Sequence, residues 1–265
     1  MRSLRAIPQR PTFWVEVGVA VTWVALAVTS TVAQGSDGSG SGSFWNEDSL
    51  WICTIGAADS AAHGGAANAA PAIEPATLFA ATPTWGLMAV AMMVPPALPA
   101  VRHVSVNSLY WRRHRAVLEF LLGFLAIWIG FSVVVLGAIS NWELARSQWI
   151  LAAALALAAA WQLTPLKWRA LRDCHRPSPL PPRGWQASLG AARFGWRNGT
   201  ACLLSCWAMM VAVALATSSM LVWMAALTAL IYFEKLNLKP RTAARHAAIP
   251  LAAAAGGVAV LAAIG

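Results

Sequence analysis

Two cysteines and a handful of methionines are the residues of this chain whose types and spacing point to chemistry. Cys202 and Cys206 stand four apart in an apolar run, so on a helix they stack on one face, and Met209 and Met210 continue that face at the seventh and eighth positions. Met88 and Met92 repeat the spacing with Met93 adjacent, and Met220 with Met224 repeats it again. Thiolate and thioether are soft ligands that favour Cu(I), whereas thiolates alone also take zinc. The same residues serve packing, because Met fills irregular apolar gaps and a free Cys behaves as a small hydrophobe. Two thiols alone do not complete a metal site, so further sulfur has to come from a neighbouring helix.

Cys174 lies in Arg172-Asp173-Cys174-His175-Arg176 and becomes a third ligand or a metal-receiving group if its segment folds back onto the helix of Cys202. Otherwise it is an ordinary reduced thiol. Cys53 has no visible partner and no assigned role. The histidines at 63, 103, 114, 175 and 246 form no His-x3-His or Glu-x-x-His pattern. Zincin, nucleophile-elbow, P-loop and dinucleotide motifs are all missing from the sequence, and nothing in it reads as an enzyme.

The elements that position these sulfurs follow from composition. Of 265 residues 58% are apolar and 11% charged, against roughly 25% charged in a soluble domain. The mean hydropathy is +0.60, which puts the chain in the membrane class. Apolar runs predict spans at Phe13 to Val32, Leu78 to Val101, Val117 to Ile139, Trp149 to Leu163, Gly199 to Thr217, Met220 to Phe233 and Ala247 to Ile264. The expectation is an all-α polytopic transmembrane bundle of about seven spans, within a range of six to eight. Residues 1–32 are then an N-terminal tail and first helix, 33–77 an acidic Gly/Ser-rich outer loop, and 78–265 the bundle. The first apolar stretch is too long for a signal-peptide core and reads as an anchor.

Lys and Arg give an independent test, because they are retained on the cytoplasmic side. With the N-terminus inside and the C-terminus outside, alternate loops hold 18 of the 19 basic residues, leaving Arg146 outside. The 33–77 loop carries no Lys or Arg but has Asp37, Glu47, Asp48, Asp59 and Glu74. The net charge of +9 therefore reports orientation and contact with anionic lipid headgroups, not nucleic acid. In this topology Cys202, Cys206, Met92 and Met93 all fall in the inner half of the membrane, so spans two and five can share a site.

Pro83, Pro95 and Pro96 predict that span two is kinked or broken, hence buried where protein can satisfy the freed carbonyls. Glu16, Glu119 and Glu234 fall near inner ends of spans and are read as ion-paired. Glu234 is placed to fix the segment between spans four and five through a basic partner.

Three blocks of the sequence resemble an uncharacterised bacterial family of predicted metal-binding integral membrane proteins, domain of unknown function 2182. The blocks are Trp85-Gly86-Leu87-Met88-Ala89-Val90-Ala91-Met92-Met93-Val94-Pro95, then Trp161 to Lys167 running on to Leu171, Cys174, Arg176 and Pro177, and finally Asn198-Gly199, Cys202, Cys206-Trp207-Ala208-Met209-Met210, Trp223-Met224 and Glu234-Lys235-Leu236. Together they cover about residues 84–236. The chain departs from the family where Ser205 and Ala170 replace cysteines that the family usually or often shows. The resemblance implies a multi-pass protein of the bacterial cytoplasmic membrane that binds a transition metal.

The resulting expectation is copper handling without catalysis, through Cys202, Cys206, Met209, Met210, Met92 and Met93, with Cys174 as a relay and Cu(I) as the ion. The other reading is a non-catalytic accessory subunit packed against a larger membrane enzyme, itself a helical partner. Ala152 to Ala160 and Ala252 to Ala259 supply small-residue faces for close helix contact.

Overall fold

The computed structural model describes residues 12–35, 85–140, 147–181, 183–216, 220–237 and 239–264. The expected outer loop beyond Gly35, Cys53 and Arg146 lie outside these residues. The described residues form helices and no strand: α1 (Phe13–Gly35), α2 (Trp85–Met93), α3 (Leu98–Asn107), α4 (Arg113–Ser140), α5 (Gln148–Gln162), α6 (Pro165–Cys174), α7 (Trp185–Ala214), α8 (Met220–Leu236) and α9 (Pro240–Ile264). The described residues are all-α, as the apolar runs imply.

Among the described residues two stretches, Tyr110–Ala138 and Pro240–Ile264, are each long and apolar enough to cross a bilayer. Two bent pairs raise the number to four if each is one span: Trp85–Met93 with Pro95–Asn107 at 49°, and Gln148–Gln162 with Pro165–Cys174 at 73°. Two to four spans among the described residues agree with the expected helical membrane class without reaching the expected seven. Of the expected spans, α8 has 17 residues, against about 20 for a full crossing.

The segment expected as a loop between spans four and five is largely helical. Thr164 caps α6, its side chain accepting from the Lys167 amide, and Pro165 occupies the first helical position, where a missing N–H costs nothing. α7 begins on Gly184, whose φ of +76° favours a residue without Cβ, and runs 14 residues before reaching Gly199. Ala187, Ala191, Phe194, Asn198 and Cys202 are buried along it at helical spacing, so the basic segment continues the face that carries the thiols.

α4 and α7 lie along each other at very close range. A Cβ at Gly195 would collide with the Phe120 carbonyl, and one at Gly123 with the Ala192 carbonyl, so glycine is what lets the two backbones touch. Phe120, Phe124 and Phe194 fill the space beside them. α9 covers α5 through Ala243, Ala244, Ala247 and Leu251, all buried.

Candidate metal centre

The break in α2 brings Met93 to the centre of the bundle. Pro95 has no amide hydrogen, so the helix cannot close a bond to the Ala91 carbonyl, and an unsatisfied buried carbonyl is costly. Trp23 of α1 supplies the missing donor, its indole Nε1 donating to Ala91 O at 3.0 Å. Met92 and Met93 sit in the last turn before the break and are fully buried. Met93 Sδ lies 3.8 Å from Cys202 Sγ.

Cys202 and Cys206 point into the protein and not outward, with 0% and 1% of their surface exposed. Ser205 Oγ donates to the Cys202 carbonyl at 2.8 Å and lies 3.2 Å from Cys206 Sγ, with the Cys174 thiol also in its reach. The nearest cation is Lys235, at the end of α8, whose Nζ donates to Cys202 Sγ at 2.9 Å. An ammonium in that position places positive charge beside a sulfur that is anionic whenever it ligates a metal.

Helical spacing explains why charged groups enter this interior. Met224, Leu227 and Ile231 form the buried stripe of α8, and the next positions on it are Glu234 and Lys235, both buried. α6 does the same with Lys167, Ala170 and Leu171, which Cys174 follows one turn on. The two stripes meet in an ion pair, Lys167 Nζ to Glu234 Oε2 at 2.8 Å, with both side chains inaccessible to solvent. Gln162 adjoins the Glu234 carboxylate, and its Nε2 donates to Met209 Sδ at 3.8 Å. His175 closes the same end, one ring nitrogen 2.8 Å from Leu171 O and the other 2.6 Å from Lys235 O.

The structure thus brings Met93, Cys202 and Cys206 into one buried cluster with Lys235. Cys174 is half-buried, close enough to Cys206, Cys202 and Lys235 for electrostatic interaction. Met209 is turned to Gln162, while Met92 and Met210 are fully buried in the same core. Among the described residues no three His, Cys, Asp or Glu side chains gather closely enough to hold a metal ion. A soft ion here would have to draw on thioether as well as thiol. The ion pairing expected of the inner glutamates is present at two of them: Glu119 meets Arg115 at 2.8 Å, and Glu234 meets Lys167, in the segment it was expected to fix.

Lys235 and Lys167 are the functional neighbours that the sequence reading passed over, having counted them as interfacial charge. Their signals were present. Thr164-Pro165 marks a helix start, and the 3-4-3 spacing from Met224 carries the buried face of α8 directly onto Glu234 and Lys235.

Taken together, fold and site define a helical bundle with paired soft sulfurs and compensating charge in a dry interior. The chain belongs to a copper chaperone family, PpoB2, whose model matches residues 82–259. That region contains all three sequence blocks and every sulfur of the cluster. No curated protein and no solved structure matches the chain significantly.

Proposed function

We propose that this chain is an integral membrane copper chaperone that holds Cu(I) as cargo between Cys202, Cys206 and Met93. The observation that carries this reading is the 3.8 Å separation of Met93 Sδ and Cys202 Sγ inside a solvent-free core. Metal–sulfur bonds of about 2.3 Å set at trigonal angles put two sulfurs about 4 Å apart, so this pair already stands at sharing distance. Thiol and thioether together are the donor set that prefers Cu(I) to harder ions. Met92 and Met210 are further thioethers in the same core, and Met209, expected as a donor, is turned to Gln162. Cys174, more accessible than the buried pair, is the entry or exit relay. The protein binds and passes the ion and transforms no substrate.

The topology that suits this role has seven crossings in the bacterial cytoplasmic membrane, the N-terminus inside and the C-terminus outside, with the sulfur cluster near the inner face. The distribution of Lys and Arg supports it. So do the exposed aromatics Tyr110, Trp111, Trp185 and Trp196 beside Arg112, Arg193 and Arg197, a composition that suits anionic headgroups at an interface. Leu118, Leu122, Ile129 and Val133 on α4, with Ile249, Val260 and Leu261 on α9, offer exposed apolar surface to lipid tails.

An accessory role beside a larger membrane enzyme is the second reading. It is favoured by the outer face of α9, where Ala252, Ala253, Gly256 and Gly257 are exposed and nothing stands within 4 Å of a Cβ added at either glycine. Copper analysis of the purified chain separates the two. The chaperone reading predicts bound copper in the wild type and its loss in Cys202→Ser/Cys206→Ser. Absence of copper from both, with a helical subunit co-purifying in stoichiometric amount, favours the accessory role.

A further inference from the structure

Beyond the sulfur donors, the cluster contains a fixed set of buried charges whose sum bears on which ion the site accepts. Lys167 and Lys235 contribute two positive charges and Glu234 one negative, all three side chains being buried. The remaining charged groups at this end, Arg169, Arg172, Asp173, Arg176, Arg197, Lys239 and Arg241, are exposed, and solvent screens them. Two thiolates added to the buried set give a total of minus one. A monovalent ion brings that total to zero, whereas a divalent ion leaves one uncompensated positive charge among side chains closed to bulk solvent, where unpaired charge is strongly disfavoured.

We propose that Lys235, through its 2.9 Å contact with Cys202 Sγ, is the specificity-determining residue that tunes this site to monovalent soft ions and against divalent ones. The inference rests on the copper-site reading above and adds to it a charge rule that ligand softness alone does not contain. Lys167 is already offset by its 2.8 Å partner Glu234, which leaves Lys235 as the unmatched buried cation that one thiolate neutralises, while the other thiolate balances a monovalent ion. A divalent ion feels the potential of that ammonium twice as strongly as a monovalent one. Removing it therefore favours divalent binding relative to monovalent, whatever else the substitution does to the thiols.

The test titrates the full-length purified chain in lipid nanodiscs with Ag(I), a redox-stable monovalent probe, and with Cd(II), a soft divalent one. Thiolate-to-metal absorption is the readout. Lys235→Met is expected to raise the Cd(II) to Ag(I) affinity ratio by on the order of ten- to a hundred-fold, the scale on which one charge within about 6 Å acts on a neighbouring ionisable group. Lys235→Arg, which keeps the charge, should hold the wild-type ratio. The double variant Lys167→Met/Glu234→Gln removes one charge of each sign and should also hold it, an arm that remains open if Lys235→Met fails to fold.

Equal weakening of both ions in Lys235→Met, or a shifted ratio in either charge-conserving variant, overturns the assignment of Lys235 and leaves the sulfur site standing. If the wild type binds neither probe, the copper-site reading itself falls, and the charge rule falls with it.

Discussion

Met93 Sδ and Cys202 Sγ, 109 residues apart in the chain, meet at 3.8 Å where the broken end of α2 touches the middle of α7. Leu has nearly the volume of Met, and exchanging them in a core costs less than about 1.5 kcal/mol. Met93→Leu is therefore expected to keep the fold while lowering Cu(I) affinity by roughly tenfold or more, the equivalent of at least about 1.4 kcal/mol. Competition titration against a chromogenic Cu(I) chelator measures it. Met209→Leu, whose thioether is turned to Gln162, should change affinity much less, and equal effects of the two variants would contradict the geometry.

Ser205 stands between two thiols. Its Oγ is 3.2 Å from Cys206 Sγ and within reach of Cys174, so a cysteine there would join the two into a larger thiolate set. Ser205→Cys is expected to tighten Cu(I) binding and to bring Cys174 into the coordination shell. Alkylation protection of Cys174 by Cu(I), compared between wild type and variant, reports this. Unchanged protection would mean that Cys174 lies beyond sharing distance.

The Lys167–Glu234 pair is fully desolvated at 2.8 Å, and removing one partner strands the other charge. Glu234→Gln is expected to destabilise the protein by about 3–5 kcal/mol, with Lys167→Met/Glu234→Gln recovering most of that loss because no uncompensated buried charge then remains. Thermal unfolding in detergent, followed by helical circular dichroism, measures both. A double variant as unstable as the single one would show that packing around the pair, not the stranded charge, sets the cost.

Trp23 holds the carbonyl that Pro95 leaves open, at 3.0 Å. Trp23→Phe keeps an aromatic ring and removes the donor, so the buried Ala91 carbonyl loses its partner at a cost of about 1–3 kcal/mol. The same unfolding assay tests this, and Cu(I) affinity should fall too, because the break in α2 is what positions Met93.

The helical class, the break in span two and the sulfur spacing were all legible in the sequence, for reasons that can be named. Apolar runs have few alternatives to helix, Pro95 and Pro96 cannot continue one, and residues four apart must share a face. The sequence did not show Lys235 reaching Cys202, because the contact joins residues 33 positions apart on separate helices. Nor was the helical form of the basic segment visible: Lys167 looks like a topology signal until the Thr164-Pro165 start is recognised and its face is traced to Cys174. The Trp23 contact was likewise hidden, since its partner is a backbone carbonyl 68 residues further along the chain. Charge counting finds which side of a membrane a loop prefers, but it does not distinguish a lysine at the interface from one turned into the core.

The most direct measurement of the central claim is X-ray absorption at the copper edge on the Cu(I)-loaded chain in nanodiscs. A site made by Cys202, Cys206 and Met93 predicts an all-sulfur shell at about 2.3 Å, lost in Cys202→Ser/Cys206→Ser and reduced by one scatterer in Met93→Leu. A shell of nitrogen or oxygen, or a sulfur shell identical in all three proteins, would contradict it.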